Sequence, residues 1–212
     1  KGFDVFLSDM GKISEEYAKK KKKWDIPFEE GKHSEELILN ADEVIKSPGI
    51  PATAPMVQKI MENGIGIISE IEFAGRYDTA KKVCITGSNG KTTTTSLVYE
   101  IMRSHDSDTL LVGNIEIPYT GLALTSKDGG STVAEISSFQ LETMITFRPK
   151  VSAILNITPD HLDRHKTMEN YIEIKKSIAK NQGEGEYCVL NYEDEVLRAY
   201  GKEVGCTAVY FS

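Results

Sequence analysis

Short, almost wholly apolar runs alternate with amphipathic stretches along nearly the whole chain, and this constrains the fold more than any other feature. Runs such as Val83-Cys84-Ile85 and Val151 to Ile157 are near-continuously apolar, as expected for strands buried on both faces. Strands of that kind, separated by helix-period segments, predict a parallel sheet covered by helices on both sides, an α/β fold. The expected strands are residues 3–7, 43–46, 65–68, 83–86, 109–112, 132–136, 151–157, 186–190 and 207–211. The expected helices are 13–23, 54–63, 70–76, 91–104, 139–145, 168–181 and 193–203. The polar, charged stretch Tyr77 to Lys82 reads as a boundary, dividing residues 1–80 from 81–212. Both ends read as cut, since Lys1-Gly2 runs straight into a strand pattern and the last residues form another.

Composition narrows the function classes. With a net charge of −7 and no basic domain, nucleic acid is not an expected partner. The basic run Lys19 to Lys23 reads as a solvated helix face. No apolar stretch approaches the ~20 residues of a membrane span, and no secretory leader is visible. Cys84, Cys188 and Cys206 are odd in number and sit in apolar runs, so they are expected to be reduced thiols of a cytoplasmic protein.

Chemistry concentrates after the strand at 83–86. Thr86-Gly87-Ser88-Asn89-Gly90-Lys91-Thr92-Thr93 joins that strand to a helical pattern carrying Leu97, Val98, Ile101 and Met102. Strand, glycine loop, Lys-Thr and helix form a phosphate cradle. Backbone N–H groups face the anion, Lys91 supplies a point charge, and the Thr92 hydroxyl can reach a magnesium ion. The loop is shorter than the usual motif, because Ile85 stands where Gly-x-x-x-x-Gly-Lys requires glycine. A glycine-rich turn capping a helix, with Lys91 in solvent, is the plainer alternative.

Three further residues are expected at the same sheet edge. Glu135 ends the apolar strand 132–136, where a carboxylate needs a compensating cation unless the strand end is simply exposed. His161 follows the strand at 151–157 and is flanked by Asp160 and Asp163, which could orient its ring. His165 reads as structural. Lys175 falls near the middle of the arc formed by Met168, Tyr171, Ile172, Ile174, Ile178 and Ala179 at about 100° per residue. A lysine there either snorkels outward or has a task, since burial would lower its pKa from ~10.4 and make a neutral, nucleophilic amine more available. Such an amine could capture carbon dioxide as a carbamate. In the first domain, Ser47-Pro48-Gly49 follows a strand, where it is either a ligand-binding loop or a proline-rich turn.

Taken together, these runs resemble the Mur ligases. The matching stretches are Ser47-Pro48-Gly49-Ile50, Thr86 to Thr93, Gly113-Asn114-Ile115, Glu135 to Glu142, Asn156 to Arg164, and the spacing onward to Tyr171 and Lys175. The run Ser137-Ser138-Phe139-Gln140-Leu141-Glu142 is similar to the D-glutamate-adding branch. The resemblance implies an incomplete Rossmann-like domain binding a UDP-muramoyl substrate at 1–80, then an incomplete P-loop, ATP-binding α/β domain at 81–212. It implies a monomeric cytoplasmic ligase joining D-glutamate to UDP-N-acetylmuramoyl-L-alanine through an acyl phosphate. Residues 87–93 would hold ATP. Thr92 and Glu135 would hold one magnesium, and His161 with carbamylated Lys175 a second. Lys91, His161 and Lys175 would serve catalysis. Asn114, Ser137 and Gln140 would contact the muramoyl group, and Ser47, Pro48 and Gly49 its diphosphate.

Glu116 stands where these enzymes have glycine, and Met10 and Gly11 do not match their uracil contacts, leaving Asp9 as a candidate. The stretch covers about half of such an enzyme and lacks the domain that recognises D-glutamate, so no steady amide synthesis is expected from these 212 residues alone. A sibling ligase, a folate polyglutamate synthase and a non-catalytic nucleotide- or UDP-sugar-binding module stand as alternatives.

Overall fold

The structure is a computed structural model describing residues 2–14, 19, 23–115 and 117–212. It divides into two compact units, one of residues 1–45 with 50–67 and one of 46–49 with 68–212. The expected helix at 13–23, the basic run 19–23 and the Glu116 departure lie largely or wholly outside the described residues.

In the first unit β1 (Leu7–Asp9) pairs in parallel with β2 (Phe28–Glu30), Leu7 opposite Phe28. This corrects the expected strand at 3–7. Phe3 and Val5 are exposed, so the apolar residues there have no core to face. β3 (Glu43–Ile45) pairs with β4 (Gly66–Ile68) in a separate two-stranded sheet. Between them α1 (Pro55–Glu62) opens with proline at its first position and buries Val57 and Ile60, one turn apart on one face.

The second unit is built on six parallel strands. They are β5 (Lys81–Thr86), β6 (Leu110–Gly113), β7 (Ser131–Glu135), β8 (Val151–Ile154), β9 (Tyr187–Asn191) and β10 (Thr207–Phe211). Their spatial order is β10-β9-β8-β5-β7-β6, every pair parallel. The period of two along each strand sorts residues onto the two faces. Ile85, Val133 and Ala153 pack with Val98, Tyr99 and Met102 of α2 (Lys91–His105) in one cluster. Their neighbours Cys84, Ala134 and Ile154 join the larger cluster with Tyr171, Ile178, Leu190 and Leu197. Both faces are covered, which is why these strands read as unbroken apolar runs. Cys84, Cys188 and Cys206 are free thiols, the first two buried.

Several expected elements are shorter than their patterns. β8 ends at Ile154 because the backbone beyond it turns to other partners. Asn156 bonds the main chain of Asn89 through its side chain, and the Ile157 N–H donates to Asp194 Oδ2 at 2.9 Å. The helix expected at 168–181 is α3 (Met168–Lys176), capped by Thr167 accepting from Asn170 N and followed by a 3-10 turn. That expected at 139–145 is one turn, α4 (Ser138–Leu141). The Tyr77–Lys82 segment lies inside the second unit. Among the described residues no helix is long and apolar enough to cross a membrane.

Candidate active site

The chain runs from β5 to β6 and β7 on one side, then crosses to β8 on the other, making a topological switch point at the carboxyl end of β5. In open parallel sheets ligands bind in the crevice at such a point. Register aligns the strand ends there, with Ile85 opposite Glu135, Gly113 opposite Glu135, and Thr86 opposite Ile154.

The loop from β5 to α2 is shaped around this edge. Gly90 caps the helix at φ 79°, a left-handed conformation suited to glycine. Gly113 sits at φ 103°, where an added Cβ would lie 2.2 Å from the Glu135 carbonyl oxygen. Half-buried Lys91 folds back on its own loop, donating to Gly87 O at 3.0 Å and Ser88 O at 2.9 Å. Thr92 Oγ1 donates to Glu135 Oε2 at 2.8 Å, and Asn114 Nδ2 donates to Glu135 Oε1 at 2.8 Å. Glu135 is 1% exposed, so its strand end is not a solvated one.

Lys175 does not snorkel. It is 1% exposed, and its amine donates to Thr86 Oγ1 at 2.9 Å and Gly87 O at 2.8 Å. Burial first, then the charge of Lys91, pull its pKa down to about 7, against the opposing pull of Asp160 and Glu135. Thr86 gives its own proton to Ile136 O, leaving its oxygen free to accept from the amine.

A cavity of about 150 Å³ lies beside Lys91, Asn114 and Lys175. Lys91, Asn114, Ser137, His161 and Lys175 of the expected set line it, together with Ser138, Phe139, Asp160 and Tyr171. His161 is half exposed at φ 51°, its Nε2 3.4 Å from Asp160 Oδ2 and its ring 4.9 Å from that of Phe139. Ser137 and Gln140 form a reciprocal capping box on α4, which gives both a structural duty. Ser47, Pro48, Gly49, Gln140, Thr92, Glu135 and the loop residues Gly87, Ser88, Asn89, Gly90 and Thr93 do not line the cavity. Arg164 grips Glu142 at 3.1 and 2.6 Å and also donates to Gly49 O at 3.2 Å and Pro48 O at 3.3 Å.

Sequence reasoning placed Tyr171 on the buried arc without a site role, and its hydroxyl lies 3.0 Å from Ser88 Oγ in the phosphate loop. It falls one turn before Lys175 on the same stripe, and that spacing was the available signal. Thr92 and Glu135 offer an alcohol and a carboxylate oxygen, hard donors of the kind magnesium takes alongside waters and phosphate oxygens. Among the described residues no three His, Cys, Asp or Glu side chains gather as an all-protein metal cage.

Two family models match the chain, the Mur ligase middle domain over residues 85–212 and the MurD N-terminal domain over 1–56. The UDP-N-acetylmuramoylalanine--D-glutamate ligase of Bacteroides thetaiotaomicron is 49% identical over 199 residues, covering 93% of this chain and 45% of that protein. The enzyme of the same name from Lachnoclostridium phytofermentans is 50% identical over 179 residues, 84% of this chain and 39% of that one. The chain thus spans less than half the length of these relatives. The fold resembles the UDP-N-acetylmuramate:L-alanyl-gamma-D-glutamyl-meso-diaminopimelate ligase from Neisseria meningitides (TM-score 0.64, 16% identity, 99% of this chain and 70% of that one). It also resembles the MurF ligase from Thermotoga maritima in complex with ADP (TM-score 0.52, 18% identity, 82% and 51% of the two chains). With the middle-domain model alone matching more than half of its residues, the chain belongs to the Mur ligase family.

Proposed function

We propose that the chain is the nucleotide- and acceptor-binding part of a UDP-N-acetylmuramoyl-L-alanine–D-glutamate ligase acting on small molecules as a cytoplasmic monomer. Residues 1–80 would serve the UDP-muramoyl substrate and 81–212 ATP. The observation that carries this reading is the meeting of Lys91, His161 and buried Lys175 on one cavity at the carboxyl edge of the sheet, with the Thr92–Glu135 pair joined to its wall through Asn114. The names of relatives near 49% identity support the choice of amino acid.

In this reading the substrate carboxylate attacks the γ-phosphate of ATP, giving an acyl phosphate and ADP. The D-glutamate amine then displaces phosphate. Such chemistry depends on positioning and charge neutralisation. Gly87, Ser88, Asn89, Gly90 and Thr93 present the loop and helix start to the phosphates. Lys91 exchanges its two carbonyl partners for phosphate oxygens. Thr92 and Glu135 would hold one magnesium ion and His161 with Lys175 a second, and the metal would supply neutralisation of the phosphate charge. Asn114, Ser137 and Gln140 would face the muramoyl group, and Ser47, Pro48 and Gly49 its diphosphate.

Lys175 would act as a carbamate. With two N–H bonds committed to Thr86 and Gly87, the neutral amine keeps a lone pair that can attack carbon dioxide, releasing one proton. As an amine it is no ligand for a hard cation, whereas the carbamate presents oxygens.

The test is ADP release by the full-length enzyme with UDP-N-acetylmuramoyl-L-alanine and D-glutamate, set against longer muramoyl peptides. Turnover is expected with the unextended acceptor, and turnover confined to peptide-extended acceptors would reassign the enzyme to a sibling ligase. Lys175→Ala is expected to abolish turnover, with partial rescue by a small added carboxylate. Undiminished activity in that variant would remove the carbamate from the scheme.

A further inference from the structure

His165 has no part in the chemistry above, yet it is 1% exposed behind the cavity wall. Its Nε2 lies 3.0 Å from Ser138 Oγ, and its ring centre is 5.5 Å from that of Phe139 and 5.2 Å from that of Tyr171. Ser138, Phe139 and Tyr171 all line the cavity. The other ring nitrogen, Nδ1, is buried without a hydrogen-bond partner among the described residues, 3.6 Å from Glu142 Oε1. Glu142 is held by the Arg164 guanidinium through both oxygens and is therefore a carboxylate.

Burial lowers the imidazole pKa, against the pull of Glu142, so the ring carries one proton. Two placements of that proton exist, and the surroundings separate them. A proton on Nε2 would leave the Nδ1 lone pair facing a carboxylate oxygen in a buried site, two acceptors opposed in low dielectric. A proton on Nδ1 points instead toward Oε1. Nε2 is then an acceptor, and the only proton available between it and Ser138 Oγ is the serine's own.

We infer that His165 is a positioning residue. In its Nδ1–H form it accepts a hydrogen bond from the Ser138 hydroxyl at Nε2 and so holds Ser138 as a hydrogen-bond acceptor at the wall of the cavity. A serine so committed receives an N–H or O–H and turns away phosphate and carboxylate oxygens. On the ligase reading, which this assignment of the ligand rests on, the donor is an amide or hydroxyl of the muramoyl-alanine acceptor. The tautomer itself does not depend on that reading.

The first test uses the 212-residue chain, uniformly 15N-labelled, in long-range proton–nitrogen correlation spectra of its four histidines, with His165→Gln supplying the assignment. A protonated Nδ1 and an unprotonated Nε2 are expected for His165, and the reverse pattern overturns the inference. The second uses ADP release by the full-length enzyme. His165→Gln keeps an acceptor near the Nε2 position, whereas His165→Asn does not reach Ser138. The Asn variant is expected to raise KM for the muramoyl acceptor about fivefold over the Gln variant, with kcat and KM for ATP alike in the two. Ser138→Ala is expected to match the Asn variant. Equal acceptor KM in the Asn and Gln variants overturns the positioning role. Absence of wild-type turnover with any muramoyl acceptor would instead remove the ligase reading, and the spectra would still decide the tautomer.

Discussion

Two carboxylates of the second unit, Glu72 and Glu135, are each 1% exposed, and their surroundings could hardly differ more. Glu72 lies in the helix Glu70–Gly75, where its carboxylate accepts from the backbone N–H groups of Ile145, Thr146 and Phe147 and from the Thr146 hydroxyl. Those bonds hold its pKa below the ordinary carboxylate range although burial pushes the other way. Glu135 has two side-chain donors, one per oxygen, and one of them, Asn114, lines the cavity with Lys91. A carboxylate oxygen accepts about two hydrogen bonds. Glu72 is therefore saturated by its own chain and acts as a fastener, while Glu135 keeps acceptor capacity that only an incoming cation can use. Burial alone does not distinguish a site from a brace; the count and origin of the donors do.

That contrast breaks if both substitutions fail in the same way. The largest effect is expected from Glu135→Gln, which places an amide against Thr92 or Asn114 and removes the charge. Turnover of the full-length enzyme should fall on the order of a hundredfold, with stability changed by about 1 kcal/mol in chemical denaturation. A large stability loss without loss of magnesium-dependent turnover would make Glu135 a second brace. Glu72→Ala should do the opposite. Unfolding free energy should drop by about 3 kcal/mol, because four donors of the 145–147 segment lose a buried partner, while nucleotide affinity of the remaining folded protein stays within about twofold.

The smallest effect sharpens the picture through pH. The folded-state pKa of Glu72 is depressed, so its contribution is present above the unfolded value of about 4.5 and is lost as pH falls below it. Wild type should therefore exceed Glu72→Gln in Tm at pH 6, and the gap should narrow steadily below pH 4.5. A gap independent of pH would mean that the carboxylate charge plays no part in holding the segment.

Much of this was legible in the sequence, unevenly. The strands at 83–86, 132–136 and 186–190 were readable within one or two residues, because a strand buried on both faces leaves an apolar run too short for a helix. Lys175 was readable because a helix wheel fixes which side chains share a face before any tertiary contact is known. β2 was not readable, since Phe28-Glu29-Glu30 carries no periodicity and becomes a strand only by lying beside Leu7 to Asp9. Glu142 and Arg164 entered only as part of matching runs, and nothing local shows that they pair across 22 positions. The same holds for Ser88 with Tyr171, 83 positions apart.

What the sequence determined by itself is the alternation of strands and helices in the second unit, the phosphate loop between strand and helix, the sheet edge of Glu135 and the helix face of Lys175. Periodicity and glycine placement are local properties of a chain, so they survive without coordinates. The tertiary structure alone decided which polar groups are already satisfied. It saturated Glu72, left Glu135 with capacity to spare, tied Ser137 to Gln140 as a cap, and set His165 between Ser138 and Glu142. Hydrogen-bond saturation depends on partners tens of residues distant, and only the folded sheet edge brings them within reach.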